Sequence, residues 1–284
     1  MSFRSFTQIL TATTLTLFIC GSASTVEADP LKTLNTAHPR LLIEPGQWSA
    51  IKAQAETDPL LAQMIRQLLV EADHLLEQPL LERRKQGRRL LSVSREAVRR
   101  ITIWSMARHL EDDLRYARRA EAEMRQLATF SDWNPSHFLD VAEMTAALAI
   151  GYDWLYHDLD ADARATIRRG IVRHGLEPGV QSIRQGAWWA AYHNNWNQVC
   201  FGGLTLGALA VADESPEIAR ELLREARPGI AYGLGVYAPD GVYPEGPGYW
   251  GYGTVYQCLM IDALRSALGT SWDLEDTPGF LESA

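Results

Sequence analysis

Apolar residues recur with a helical spacing along nearly all of the chain. Phe138, Val141, Leu148, Tyr152 and Leu155 stand three, four or seven residues apart, which places them on one face of a helix. Comparable patterns predict further helices over 47–74, 94–109, 111–129, 196–212, 216–232 and 249–268. Alternation typical of a strand is nearly absent, and Val242–Tyr243 is the one fair candidate. The chain is therefore predicted to be all-α.

Capping residues predict where several of these helices begin and end. Ser94 and Asp160 are predicted N-caps, and Asn134 followed by a proline predicts another helix start. The helix after Asp160 carries basic residues toward its end and is predicted to stop at Gly175. Helices of this length joined by short turns pack as antiparallel neighbours. Two arrangements remain open, a bundle or solenoid and a ring of helical hairpins.

The first residues have the features of an export signal. Arg4 precedes an apolar run over 9–20, which is too short to span a bilayer comfortably, and Val26-Glu27-Ala28 offers a small-x-small cleavage site. We expect a signal peptide over 1–28, a single helical domain over 29–284, and a periplasmic or secreted protein. No later segment has the length and apolarity of a membrane span, so no membrane association is expected after cleavage.

The formal net charge of −8 argues against a nucleic-acid partner, because phosphate binding requires a basic face. An acidic polysaccharide would have to bind a local basic patch instead. The basic run formed by Arg83, Arg84, Lys85, Arg88 and Arg89 is interpreted as a solvated segment. Arg95, at the following helix start, is the better candidate to reach an anionic ligand.

Cysteine and histidine usage gives little support for a metal or a cofactor. Cys200 and Cys258 both lie in apolar helical contexts, so two buried free thiols are preferred to a disulfide. The sequence has no HExxH, no CxxC and no close pair of histidines. Neither a metal nor a cofactor is predicted.

Asparagines and aromatic residues meet at a predicted helix start over 192–197. The segment reads Tyr-His-Asn-Asn-Trp-Asn, so Asn194 and Asn195 follow His193. Asparagine amides can donate hydrogen bonds to a carboxylate, and a helix N-terminus favours negative charge. One of the asparagines can equally be the N-cap, so a purely structural role stays open for each of them.

A second unusual segment, over 240–253, is rich in glycine and proline and leads into the last predicted helix. It delivers Glu245, Tyr249 and Trp250 to the helix start. A phenol such as Tyr249 acts as a catalytic acid or base only if its surroundings offset its high reference pKa. The alternative is a tightly folded loop whose tyrosines pack on the core.

Tryptophans are concentrated at the same two places. Trp188, Trp189 and Trp250 are candidates to stack on sugar rings, although buried packing would explain them as well. His137 could line a cleft near them. We therefore expect an acidic polysaccharide or oligosaccharide as the partner, bound by Asn194, Glu245, Arg95, His137 and these three tryptophans.

Four segments in this order resemble heparinase II/III-type polysaccharide lyases. They are WNPSHFLD at 133–140, GYDWLY at 151–156, HNNW at 193–196 and YPEGPGYWGYG at 243–253, and the opening HPRLL at 38–42 is also similar. The resemblance covers most of 37–270. It implies an incomplete (α/α) toroid of antiparallel helical hairpins, followed in the family by β-sandwich domains that this chain lacks.

The resemblance also implies a reaction, β-elimination across C4–C5 of a uronic acid in a heparan sulfate-like or alginate-like polymer. Asn195 (or Asn194) matches the residue that neutralises the sugar carboxylate, and Tyr249 matches the tyrosine that protonates the leaving oxygen. His193 is a candidate base. The family uses a further histidine from its C-terminal β-rich region, so the 284-residue chain is expected to be truncated and possibly inactive.

Two other functions remain open. One is a non-catalytic carbohydrate-binding or scaffold protein on the same helical fold. The other is a toroid glycoside hydrolase, which requires two facing carboxylates; Glu245 with Asp153 or Asp140 are the pairs that suggest it. The sequence leaves the polymer, the position of cutting and the oligomeric state open.

Overall fold

The computed structural model describes residues 28–44 and 46–283. This part of the chain is helical and contains no β-strand, which confirms the prediction of an all-α fold. The α-helices are α1 (Gln47–Ala55), α2 (Pro59–Leu76), α3 (Leu91–Glu111), α4 (Leu114–Ala128), α5 (Phe138–Trp154), α6 (Ala161–Gly170), α7 (Glu177–Arg184), α8 (Asn195–Ala210), α9 (Pro216–Leu234) and α10 (Pro247–Leu268).

Several predicted boundaries are wrong for identifiable reasons. The predicted helix 47–74 is divided in two because Asp58 caps α2 and Pro59 occupies its first turn. Ser94 lies inside α3, and Asn134 adopts a turn with φ of 62° four residues before α5 begins. The strand expected at Val242–Tyr243 is irregular loop.

The helix capped by Asp160 starts as predicted but does not stop at Gly175. Asp160 Oδ1 accepts a hydrogen bond from the Ala163 amide at 2.7 Å, which confirms the cap. After α6 the helix continues through a π-helical turn over Ile171–Leu176 directly into α7. The long loop predicted after Glu177 is therefore helical in its first half.

Four helices form an inner row in the order α3, α5, α8, α10, and all four run in the same direction. Their direction follows from paired contacts that advance together: Gly203 and Gly207 of α8 face Ala142 and Thr145 of α5. The returning helices α4, α6–α7 and α9 pack outside the row. Every residue of α5 is buried, as expected for a helix covered on all sides.

Glycine permits the close approach of α8 to its two neighbours. A Cβ atom at Gly203 would lie 2.2 Å from the Ala142 carbonyl oxygen, and one at Gly202 would lie 2.7 Å from that of Tyr256. Any larger residue would push α8 away from α5 or α10. Because α5, α8 and α10 each carry part of the site described below, this spacing also fixes the distances across it.

The segment before α1 is fastened to the C-terminal ends of α5 and α8. The amides of Arg40 and Leu41 donate to the Asp153 carboxylate at 2.8–3.1 Å, and His38 Nδ1 lies 2.6 Å from the same carboxylate. The Arg40 guanidinium donates to the carbonyls of Leu209 and Ala210. This polar cluster lies at the opposite end of the inner row from the candidate site.

Cys200 and Cys258 are both free thiols, as predicted. Cys200 is buried, and burial raises the pKa of its thiol. The prediction that Cys258 is also buried is wrong, because it lies on the exposed face of α10.

The predicted signal peptide lies almost wholly within residues 1–27, which are outside the described part of the chain. Over the residues that are described, no helix combines the length and the apolarity needed to cross a bilayer.

Candidate functional site

The first turns of the four inner helices meet at one end of the molecule. Asp140 near the start of α5 accepts a hydrogen bond from the Leu90 amide just before α3. Glu143, one turn further along α5, contacts Arg95 of α3 and Tyr252 of α10. The segments singled out from the sequence are therefore brought to one end of the fold.

Asn195 and Glu245 are joined directly, although 50 residues separate them in the sequence. The Asn195 side-chain nitrogen lies 2.8 and 2.9 Å from the two Glu245 oxygens, and the Asn195 backbone amide donates to Oε2 at 2.7 Å. A carboxylate at this position also interacts favourably with the N-terminus of α8. The carboxylate-binding chemistry expected of Asn195 is present, and Glu245 occupies it.

A hydrogen-bonded chain holds Glu245 and its loop in place. The Tyr243 hydroxyl donates to Gln198 Oε1 at 2.8 Å and lies 3.3 Å from Glu245 Oε2. Gln198 Nε2 continues the chain to the Tyr237 hydroxyl at 2.8 Å. Burial, reinforced by the charge of Glu245, raises the pKa of Tyr243, so this phenol stays protonated. The loop before α10 is thus fixed to α8 through buried polar groups.

Tyr249 stands in an open cleft of about 460 Å³ between the starts of α3 and α10. We call it the tyrosine cleft; its lining includes Arg95, Glu245, Pro247, Tyr249 and Tyr252. Tyr249 is 57% exposed, and among the described residues its hydroxyl has no hydrogen-bond partner. Its hydroxyl is therefore available to a ligand.

Arg95 provides the positive charge of the tyrosine cleft. Its guanidinium carbon lies 5.0 Å from the centroid of the Tyr252 ring, and its Nε lies 3.4 Å from Glu143 Oε1. Burial raises the pKa of Glu143, although Tyr252 and Arg95 oppose that effect. Burial beside Glu143 also raises the pKa of Tyr252, whose hydroxyl donates to that carboxylate. Tyr252 is therefore a fixed donor, which leaves Tyr249 as the free phenol of the cleft.

A second concavity of about 350 Å³ lies beside the start of α8. We call it the tryptophan pocket; its walls include Arg88, Ser136, His137, Trp188, Trp189 and Trp196. Trp188 is 53% exposed, as its predicted role requires. The prediction that Trp189 stacks on a sugar is wrong, because it is only 2% exposed and its ring packs on Phe138.

The remaining predicted residues have different surroundings. Asn194 is the N-cap of α8, since its Oδ1 accepts from the Trp196 amide at 3.0 Å. His193 lines neither the tyrosine cleft nor the tryptophan pocket, and its ring contacts Tyr232 of α9. His137 is buried, with Nδ1 2.8 Å from Asp140 Oδ1. Trp250 is half-buried at the start of α10.

Sequence analysis missed three residues of these two concavities. Arg88 was grouped with the solvated basic run but lines the tryptophan pocket, whereas Arg83 pairs with Asp132. Glu143 and Tyr252 were given no role, yet they position Arg95. The position of Glu143 three residues after Asp140, in the first turns of the same predicted helix, was the available indication.

The carboxylate pairs considered for glycoside hydrolysis do not face one another across a cleft. Asp153 lies at the far end of α5 from Glu245 and is fully buried. Asp140 is also fully buried, and it accepts hydrogen bonds from Leu90, Asn134 and His137. Neither pair can flank a glycosidic bond in this arrangement.

Within the described residues, no three histidine, cysteine or acidic side chains gather as they would around a metal ion. No protein-family model matches the chain, and no curated protein matches it either.

Proposed function

We propose that the chain is the helical part of a polysaccharide lyase that cleaves a uronic-acid-containing polysaccharide by β-elimination. One observation carries the proposal. Asn195 and Tyr249 start different helices, yet Glu245, four residues before Tyr249, binds Asn195 directly and lines the same cleft as Tyr249. An amide that binds carboxylates and a free phenol are thus available to one sugar.

The arrangement of helices supports an incomplete (α/α) toroid as the scaffold. The hairpins α3–α4, α5–α6–α7 and α8–α9 each place one helix in the inner row and return outside it, and α10 adds a further inner helix. Such a scaffold collects the starts of its inner helices at one end. The residues proposed for the reaction lie at that end.

The proposed chemistry assigns a role to each group. Arg95 and the start of α8 bind the uronate carboxylate, which makes the C5 proton more acidic by stabilising the charge that develops when it leaves. Tyr249, when ionised, takes the C5 proton and passes the same proton to O4 as the C4–O4 bond breaks. The double bond forms between C4 and C5, and no proton is gained or lost overall.

The decisive experiment measures ultraviolet absorbance of unsaturated uronides released from alginate, heparan sulfate and related polymers. We expect the chain to release them from at least one polymer. Tyr249→Phe should lower kcat by about 10²-fold or more, the usual contribution of a positioned acid–base group, while the polymer still binds. Tyr232→Phe is the matched control, since Tyr232 is also exposed and lines neither concavity named above.

The rival function is a non-catalytic carbohydrate-binding protein. The observation that favours it is the pairing of Asn195 with Glu245, which already satisfies the amide that a substrate carboxylate would need. Under this alternative the chain binds acidic oligosaccharides but releases no unsaturated product from any of them. Tyr249→Phe would then leave every measured property unchanged.

An exported protein is consistent with such a substrate, and we propose that the mature chain begins after Ala28. Amino-terminal sequencing of the protein recovered from the periplasm or medium tests this directly. A mature protein that retains residues 1–28 would contradict it.

A further inference from the structure

We propose that the tryptophan pocket is a second sugar-binding subsite, one that takes an acidic sugar next to the residue being cleaved. The inference rests on the proposed function and extends it from a single sugar to a chain. It assigns Arg88, Trp188 and Trp196 to substrate binding, and it predicts a substrate whose neighbouring sugar also carries a carboxylate or sulfate.

The first argument is position. Asn195 pairs with Glu245, which lines the tyrosine cleft, and the next residue, Trp196, lines the tryptophan pocket. The two concavities therefore lie on either side of the Asn195–Glu245 pair, at the same end of the inner row. A polymer bound at Tyr249 has the tryptophan pocket as its neighbour on the α8 side.

The second argument is the arrangement of aromatic rings. Trp188 is held by Trp196, with ring centroids 4.9 Å apart, and by Tyr192, with centroids 5.5 Å apart. A tryptophan that is half exposed yet contacted on two sides has a fixed orientation, which lowers the entropic cost of binding. The pocket volume of about 350 Å³ lies at the low end of the usual range for small-molecule sites, roughly 300–1,000 Å³.

The third argument is the polar lining. Arg88 supplies a guanidinium, which suits the geometry of a carboxylate or sulfate. His137 lines the pocket with its Nδ1 bound to the buried Asp140, so its ring is held against Trp196 at a centroid distance of 4.9 Å. Ser136 and Ser182 add hydroxyl groups to the lining. Aromatic faces, one cation and a few hydroxyls are the chemistry that binds an acidic sugar.

Oligosaccharide binding tests the subsite without requiring turnover. The probes are purified uronate hexasaccharides prepared from alginate and uncharged gluco-hexasaccharides, titrated against the full chain by calorimetry. We expect the acidic probe to bind more tightly than the neutral one. Trp188→Ala and Arg88→Ala should each weaken acidic binding about tenfold, as for truncation of a central binding residue, and Trp188→Phe should recover part of the loss.

Arg84→Ala is the matched control, since Arg84 belongs to the same basic run but lies outside the pocket. It should bind as the unchanged protein does. If the acidic probe binds and is cleaved, yet neither Trp188→Ala nor Arg88→Ala weakens it, the subsite is refuted and the proposed function stands. If Arg88→Ala weakens acidic and neutral probes equally, the acidic preference is refuted. If no uronate oligosaccharide binds the unchanged protein, the subsite and the proposed function both fail.

Discussion

At the scale of single residues, adjacent side chains in 193–197 have different tasks. Asn194 accepts a hydrogen bond from the Trp196 amide and ends the backbone of α8 correctly, whereas Asn195 turns its amide toward Glu245. His193 contacts Tyr232 on the other side. Neighbours in sequence thus separate into a cap, a carboxylate-binding residue and a surface contact.

This division predicts opposite effects for the two asparagines. Asn194→Ala should lower the free energy of unfolding by about 1 kcal/mol, the usual cost of losing an N-cap, with little effect on kcat. Asn195→Ala should lower kcat by about 10²-fold, as for loss of a donor that stabilises developing charge. Denaturant unfolding and steady-state kinetics on both variants measure the two quantities. Equal kinetic losses would contradict the assignment.

Glu245 is expected to stabilise the fold as well as shape the site. Its carboxylate accepts from both the amide and the side chain of Asn195, and Glu245→Gln would bring a second amide against that side chain. We expect a loss of about 1–2 kcal/mol in unfolding free energy, since charge-assisted hydrogen bonds at a helix start are replaced by weaker ones. Denaturant titration measures it.

Glu111→Gln is the comparison for Glu245→Gln, because it changes an exposed carboxylate at the end of α3. It should shift the unfolding free energy by less than about 0.5 kcal/mol. Unfolding curves for Glu245→Gln that superimpose on those of the unchanged protein would show that Glu245 does not hold the start of α8.

At the scale of helices, the spacing of the inner row depends on small residues in α8. Gly203→Ala places a methyl group 2.2 Å from a backbone oxygen of α5, which neither helix can avoid without moving. We expect a loss of about 3 kcal/mol in unfolding free energy, the upper part of the usual range for overpacking. Thermal and denaturant unfolding both report it.

Gly251→Ala provides the matched test of this argument in α10. A Cβ atom there meets nothing within 4 Å. It should stabilise the protein by about 0.5–1 kcal/mol, because alanine favours the helix and restricts the unfolded chain. If both variants change stability alike, close packing of α8 is not what requires Gly203.

At the scale of the whole molecule, the inner row has a binding end and a fastened end. His38 belongs to the fastened end, with Asp153 at 2.6 Å and Asp213 at 3.7 Å from its ring nitrogens. Burial and the nearby Arg40 would lower the pKa of His38, but the two carboxylates outweigh them and raise it. Arg40 and His38 in turn hold the pKa of Asp213 well below its ordinary value, against the effect of burial.

The raised pKa makes stability depend on pH. The folded chain binds the His38 proton more tightly than the unfolded chain does, so protonation stabilises the fold. This contribution is complete below about pH 6.5, the ordinary value for histidine, and is lost as pH rises through the higher folded-state pKa. Melting temperatures of the unchanged protein and His38→Gln should therefore converge as pH increases from 6 to 9.

His74→Gln serves as the comparison, because His74 is an exposed histidine in the last turn of α2. Its melting temperature should follow that of the unchanged protein over the same range. A His38→Gln variant that differs from the unchanged protein by a constant amount at every pH would contradict the proposed role of the proton.

Sequence patterns captured what is local in this molecule. The apolar spacing of α5 and the cap at Asp160 were sufficient, because both act within one or two turns of helix. Asp58–Pro59 also carried a local indication of a helix break that was overlooked. The pairing of Asn195 with Glu245 is a contact between distant segments, so no local pattern contains it. Trp188 and Trp189 are neighbours with opposite exposure, which only the fold of the loop decides.

The π-helical turn at Ile171–Leu176 has a consequence for how the protein tolerates insertions and deletions. Such a turn contains one residue more than an α-helix needs to cover the same distance. Deleting one residue there would restore regular winding and rotate α7 by roughly 100° relative to α6. The segment that carries Trp188 follows α7 directly, so a change of a single codon in the outer layer would reposition that ring.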